Sequence, residues 1–150
     1  MSISARLTEL GIELPTVVAP VGAYVPAVQY GDLIYTSGQL PMINGELPAT
    51  GKVGAGVEPD TALDLARVCA VNGLAAAADL AGGVDNLTAV VKVTGFVASA
   101  PEFTGQPGVI NGASNVLGEL FGTPHARSAV GVAALPLDAP VEVEFVFATK

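Results

Sequence analysis

EPDTALDLARVCAVNGLAAAADLAGG, residues 58–83, decides the fold. Pro59 suits the first turn of a helix, and apolar or small residues recur at helical spacing at Ala62, Leu65, Ala66, Cys69, Gly73, Ala76 and Leu80. Gly82-Gly83 supplies the stop. Asp60, Asp64 and Arg67 fall on the opposite side, where charges are ordinarily solvated. The most apolar part, 68–83, is broken by Asn72, Asp79 and glycines and falls short of the roughly 20 apolar residues that a membrane helix needs. It reads as a buried helix of a folded domain.

The flanking segments supply a sheet for it. Upstream, AVQY (27–30) and LIYTS (33–37) are β-rich and separated by Gly31-Asp32, a hairpin with a tight turn. Residues 41–57 concentrate Gly and Pro without periodicity and are expected to form a loop, often a functional feature in a small domain. Downstream, LTAVVKVTGFV (87–97) predicts a strand with Leu87, Ala89, Val91, Val93 and Val97 on one face and Thr88, Lys92 and Thr94 on the other. After ASAPEFTGQP, Val109, Ile110, Ala113, Val116, Leu117, Leu120 and Phe121 recur at helical spacing, with Gly122 and Pro124 closing that helix. RSAVGVAAL (127–135) and VEVEFVFA (141–148) are strands joined by PLDAP. The order β-β-α-β-α-β-β predicts an α+β domain with both helices on one face of a largely antiparallel or mixed sheet. The strands are apolar on both faces, yet no segment remains to cover the second. Self-association with closed symmetry is the economical expectation.

With 150 residues, 51% of them hydrophobic and 13% charged, the chain suits one domain, 1–150, with a substantial core. Its net charge of -8 repels polyanions, and no basic cluster offsets it, so nucleic-acid binding is not expected. The N-terminus lacks the pattern of a signal peptide, and the expected setting is cytoplasmic, without membrane attachment. Cys69 is the only cysteine, which excludes an intrachain disulfide, and its place on the apolar stripe points to an inert buried thiol.

A single histidine, His125, and one cysteine do not make a Cys/His metal site, and no phosphate loop, dinucleotide fingerprint or G-x-S-x-G elbow is present. Neither metal nor cofactor is expected. What stands out is a small set of polar residues in apolar strands: Tyr24, Ser37, Arg127 and Glu142. A guanidinium keeps its charge, so Arg127 either reaches solvent or clamps an anion such as a carboxylate. Glu142 and Glu144 share one face of the last strand.

Those residues sit within separated motifs in a recognisable order: GAYVPAV (22–28), GDLIYTSGQLP (31–41), NGAS beginning at Asn111, and ARSAVGVAALPLDAPVEVE (126–144). Together they resemble the YjgF/RidA family (reactive intermediate deaminase A), also labelled L-PSP endoribonuclease or translation inhibitor. The resemblance covers nearly all of the chain after residue 19, leaving 1–18 as a variable N-terminal segment. It implies a chorismate-mutase-like homotrimer with active sites between subunits, and hydrolysis of 2-imino or enamino acids, such as 2-aminoacrylate, to 2-keto acids and ammonia. It further implies that Arg127 binds the substrate carboxylate, Glu142 positions the attacking water, Tyr24 and Ser37 line the cleft, and Gly38 and Asn111 belong to the pocket.

This chain departs from the family pattern in two places near Arg127. Ala129 replaces a cysteine, so only its backbone is left to contact ligand, and His125 stands where a proline is common, either in a structural place or at the pocket rim. The divergent segments 4–15 and 99–107 mark a subgroup. A non-catalytic trimer binding small carboxylate metabolites is the alternative function, and an endoribonuclease is a more distant one. If 127–135 and 141–148 pair as a hairpin across PLDAP, Arg127 and Glu142 lie roughly 20 Å apart, and one chain cannot bring both to one substrate.

Overall fold

The computed structural model describes residues 1–17, 20 and 22–150. In chain order the elements are α1 (Ile3–Glu9), β1 (Ala27–Tyr30), β2 (Leu33–Thr36), β3 (Lys52–Val53), β4 (Gly56–Val57), α2 (Pro59–Ala81), β5 (Leu87–Ala98), α3 (Gln106–Phe121), β6 (Ala126–Val132) and β7 (Val141–Thr149). The result is a mixed α+β fold. The five long strands form one sheet in the order β1-β2-β7-β5-β6, antiparallel except where β6 runs parallel to β5.

Local chemistry places α2 as the sequence suggests. Pro59 occupies its first turn, and Gly82, at φ 80°, ends it in the left-handed conformation while the Gly83 amide reaches back to Ala78 O at 2.9 Å. At 23 residues α2 is long and apolar enough by length and composition to cross a membrane, so Asn72, Asp79 and the glycines interrupt it less than expected. Its small residues instead bury it: Ala62, Ala66, Cys69, Ala70 and Gly73 lie against the sheet and α3. Leu80, expected on the apolar stripe, is exposed at the end of the helix.

Two close approaches set the helix layer. A Cβ on Gly73 would stand 2.4 Å from the Phe145 ring, and one on Gly112 would stand 1.9 Å from the carbonyl oxygen of Leu63. α2 and α3 therefore pack backbone to backbone, with Ile110 seated over Gly95 of β5. Val93, Val97, Val141, Val143, Phe145 and Phe147 fill the space between sheet and helices.

The strand β5 departs from strict alternation. Irregularities in its pairing with β7 fall between Leu87 and Ala89 and between Val90 and Lys92, so Val90 is buried and Val91 is 40% exposed. An extra residue in a strand reverses the facing of the residues beyond it, which is why the expected inward Val91 is corrected to Val90. The simple hairpin considered across PLDAP does not form. β6 and β7 lie on opposite sides of β5, and residues 136–138 form a short 3-10 turn that carries the chain past its edge.

The second face of the sheet presents Val28, Tyr35 and Val130, all substantially exposed, beside Lys92, Thr94 and Glu144. No described element of the chain covers them. The segment 41–57 is mostly irregular but tethered: β3 and β4 form a two-residue parallel pair, and Asn72 Nδ2 of α2 donates to Leu40 O and Met42 O, both at 3.1 Å. α1, within the segment expected to be variable, is capped by Ser2 and fastened by Ser4 to Asp85 and by Arg6 to Glu119 O. The boundary expected at 18 lies outside the described residues.

Gly112→Ala should lower the stability to chemical denaturation by about 3 kcal/mol, since a backbone carbonyl cannot move aside as a side chain does. Gly118→Ala, with nothing within 4 Å of the added methyl, should instead stabilise α3 by about 0.5–1 kcal/mol.

Candidate functional site

The polar residues singled out in the sequence gather in two groups. In the first, β2 ends at Thr36 and Ser37 turns the chain out of the sheet. The Ser37 amide donates to Pro26 O at 2.8 Å and its Oγ to Val25 O at 2.6 Å, which draws the 22–26 turn alongside. That turn carries Tyr24, whose ring packs on Gly22 and is 57% exposed. Gly38 follows, and Glu142 lies directly over it: a Cβ there would be 2.3 Å from Glu142 Oε1. Only glycine lets the carboxylate settle against the main chain. The Gln39–Val143 amide and carbonyl pair, at 2.8 and 3.0 Å, locks this approach.

The second group belongs to β6 and α3. Arg127 pairs in register with Val93 and faces the helix layer, where Nη1 donates to Asn111 Oδ1 at 2.7 Å and to Ser114 Oγ at 3.3 Å. His125 Nε2 lies 3.0 Å from the same Ser114 oxygen. Ala129 follows two residues along on the same face, half-buried. Ser114 ends the NGAS motif but has no role in the sequence expectations; its spacing of three from Asn111 on one helix face was the available signal.

One chain does not unite the groups. Glu142 pairs with Phe96 on the bare face, whereas Arg127 pairs with Val93 on the helix face. Two strands across and three residues along β5, their Cα atoms are roughly 14 Å apart.

Electrostatics differ between the two. Burial, followed by repulsion from Glu144, pushes the Glu142 carboxyl above the ordinary glutamate range. Burial and then the Arg127 charge push the His125 imidazole down. Burial raises Cys69, which the structure encloses fully, well above the usual thiol value, with the Glu142 charge adding to it; that is the inert thiol expected. Among the described residues, no three His, Cys, Asp or Glu side chains gather closely enough to hold a metal ion. Beside Glu144 a depression of about 140 Å³ opens on the bare face, lined by Tyr35, Lys92, Thr94 and Val146, apart from both polar groups.

The family model described as endoribonuclease L-PSP matches residues 15–149. The chain belongs to this family, the YjgF/RidA family. It is 41% identical over 145 residues to Protein TCP17 of Trypanosoma cruzi, covering 95% of this chain and 91% of that protein. It is 37% identical over 131 residues to the 2-iminobutanoate/2-iminopropanoate deaminase of Escherichia coli, covering 84% of this chain and 87% of the relative. A crystal structure of a protein of unknown function from Agrobacterium tumefaciens superposes with a TM-score of 0.88 at 47% identity, covering 99% of this chain and 92% of that one.

The raised pKa of Glu142 has a consequence for stability. Because the folded value exceeds the unfolded one, Glu142 contributes stability at low pH that is lost as pH rises through the folded pKa. Glu142→Gln should therefore unfold at higher denaturant than the native chain near pH 7 and lose that advantage near pH 4. In a carboxyl-carbon NMR titration, Glu144→Gln should bring the Glu142 pKa down; an unchanged value would remove Glu144 as a cause.

Proposed function

We propose that this YjgF/RidA protein is a cofactor-independent deaminase that hydrolyses 2-imino and enamino acids to 2-keto acids and ammonia. It works as a homotrimer of the chorismate-mutase-like kind with sites between subunits. The observation that carries the reading is the separation of Arg127 from Glu142: a carboxylate clamp and a water-positioning carboxyl on opposite faces of one sheet meet only if a second copy docks. The uncovered apolar face supplies the contact. Support for the reaction comes from the relatives named as deaminases.

The chemistry asks little of the protein, since an imine carbon is already electrophilic. Arg127 of one subunit fixes the substrate carboxylate, and Asn111 holds the guanidinium from the α3 side. The backbone at Ala129 lets ligand approach the main chain closely, and Gly38 makes room for the Glu142 carboxyl at the pocket wall. Glu142 of the neighbour, with Ser37 and Tyr24 beside it, holds a water against C2. Its raised pKa suits it to take a proton from that water as the C–O bond forms and to return it to nitrogen as the C–N bond breaks. An enamine such as 2-aminoacrylate first takes a proton at its methylene carbon to become the imine. The carbinolamine then collapses to the keto acid and ammonia. An RNA-cleaving role, which the family label suggests, is disfavoured by the net charge of -8.

With 2-iminobutanoate generated in the assay, Arg127→Ala and Glu142→Gln should each lower kcat/KM by about 100-fold or more, and Tyr24→Phe by less, with the trimer intact. Mixed trimers refolded from equal amounts of Arg127→Ala and Glu142→Gln chains should regain about a quarter of the native sites, because adjacent chains then pair one good Arg127 with one good Glu142. No recovery would place both residues in one subunit's site. Keto-acid binding without turnover of any imine would favour a carboxylate-binding trimer instead.

A further inference from the structure

The Arg127 guanidinium is held by α3. Nη1 spends both of its hydrogens on Asn111 Oδ1 and Ser114 Oγ, which leaves the Nη2 and Nε edge as the fork for a carboxylate. Arginine has no acceptor, so in this contact the Ser114 oxygen accepts. The hydroxyl still has its one hydrogen to give, and a neutral ring at His125 Nε2, 3.0 Å away, is placed to take it. With the hydroxyl donating, Nε2 is the acceptor and Nδ1 the protonated ring nitrogen. The surroundings agree with a neutral ring, since burial and the neighbouring guanidinium both disfavour its charged form.

We propose that His125 is a positioning residue for carboxylate recognition, acting through Ser114 to fix the orientation of the Arg127 clamp. The proposal rests on the reading of Arg127 as the carboxylate clamp. A free arginine side chain samples many rotamers, and ordering it on ligand binding subtracts from affinity. The relay His125–Ser114–Arg127 removes that cost in advance. It acts at the carboxylate, away from the imine carbon, so it governs binding and leaves the chemical step alone. Its place on the chain is telling: His125 directly precedes β6, so one ring anchors the start of the strand that delivers Arg127.

The test compares the native chain with His125→Ala, Ser114→Ala, their double variant and His125→Gln. It reads the dissociation constant of 2-ketobutanoate by calorimetry and the steady-state constants for 2-iminobutanoate. His125→Ala and Ser114→Ala should each weaken 2-ketobutanoate roughly 3- to 10-fold and raise KM in parallel, with kcat within about twofold. The double variant should lose no more than Ser114→Ala alone, as members of one relay do. His125→Gln, whose Oε1 can take the place of Nε2, should recover most of the affinity. An unchanged dissociation constant in His125→Ala, additive losses, or a fall in kcat at constant KM would each overturn the proposal. Independently of ligand and of variant folding, ¹⁵N NMR of the native protein should show His125 protonated at Nδ1; neutral imidazole protonated at Nε2 overturns it. Native protein that binds 2-ketobutanoate without turning over imines overturns the deaminase reading alone, and the dissociation constants then judge the relay. Native protein that binds no 2-keto acid overturns both.

Discussion

At Gly112 the backbone of α3 comes so near α2 that the Leu63 carbonyl occupies the space a side chain would need. This approach fixes how closely α3 lies beside α2, and α3 carries Asn111 and Ser114 on either side of the contact. The two acceptors that hold Arg127 are thus placed by helix packing, not by loops. A second close approach has the same logic. Gly38 admits the Glu142 carboxyl against the main chain, so the acid is partly desolvated and its pKa rises. In both polar groups, a missing side chain on one element determines where a charged one on another can rest.

The division of the site also follows from sheet order. β7 and β6 flank β5, one antiparallel and one parallel, and Glu142 and Arg127 on them face opposite sides. A covalent chain can place two chemistries on the two faces of a sheet with ease, but it cannot fold one face onto the other. In the proposed trimer a second copy lets them meet, and burial of the apolar side chains left bare on the Glu142 face would favour it energetically.

Much of this was legible in the sequence because its causes are local. Pro59 and Gly82 mark the limits of α2, Gly31-Asp32 turns the first hairpin, and the apolar spacing of 109–121 gives α3. What could not be read depends on partners distant in sequence. The irregularities that bury Val90 in place of Val91 arise from the register against β7, which alternation along β5 does not encode. PLDAP resembles a hairpin connection, and only the competition of β6 and β7 for the two edges of β5 shows that it is not one. Tyr24, Ser37, Arg127 and Glu142 were visible as polar intrusions in apolar strands, whereas Ser114 looks like an ordinary helix serine until Arg127 is placed against it.

The position of β7 has a bearing on how the molecule assembles. It is inserted between β2 and β5, strands made long before it during synthesis. Until it arrives, the hairpin and the β5-α3-β6 unit each present an open strand edge toward the same gap. Such edges recruit foreign strands readily, and closing the gap requires contacts between residues more than 100 positions apart, as between Leu33 and Ala148. The nascent chain is therefore most vulnerable to misassociation in the interval before its central strand is in place, and a chaperone that shields those two edges would protect it most.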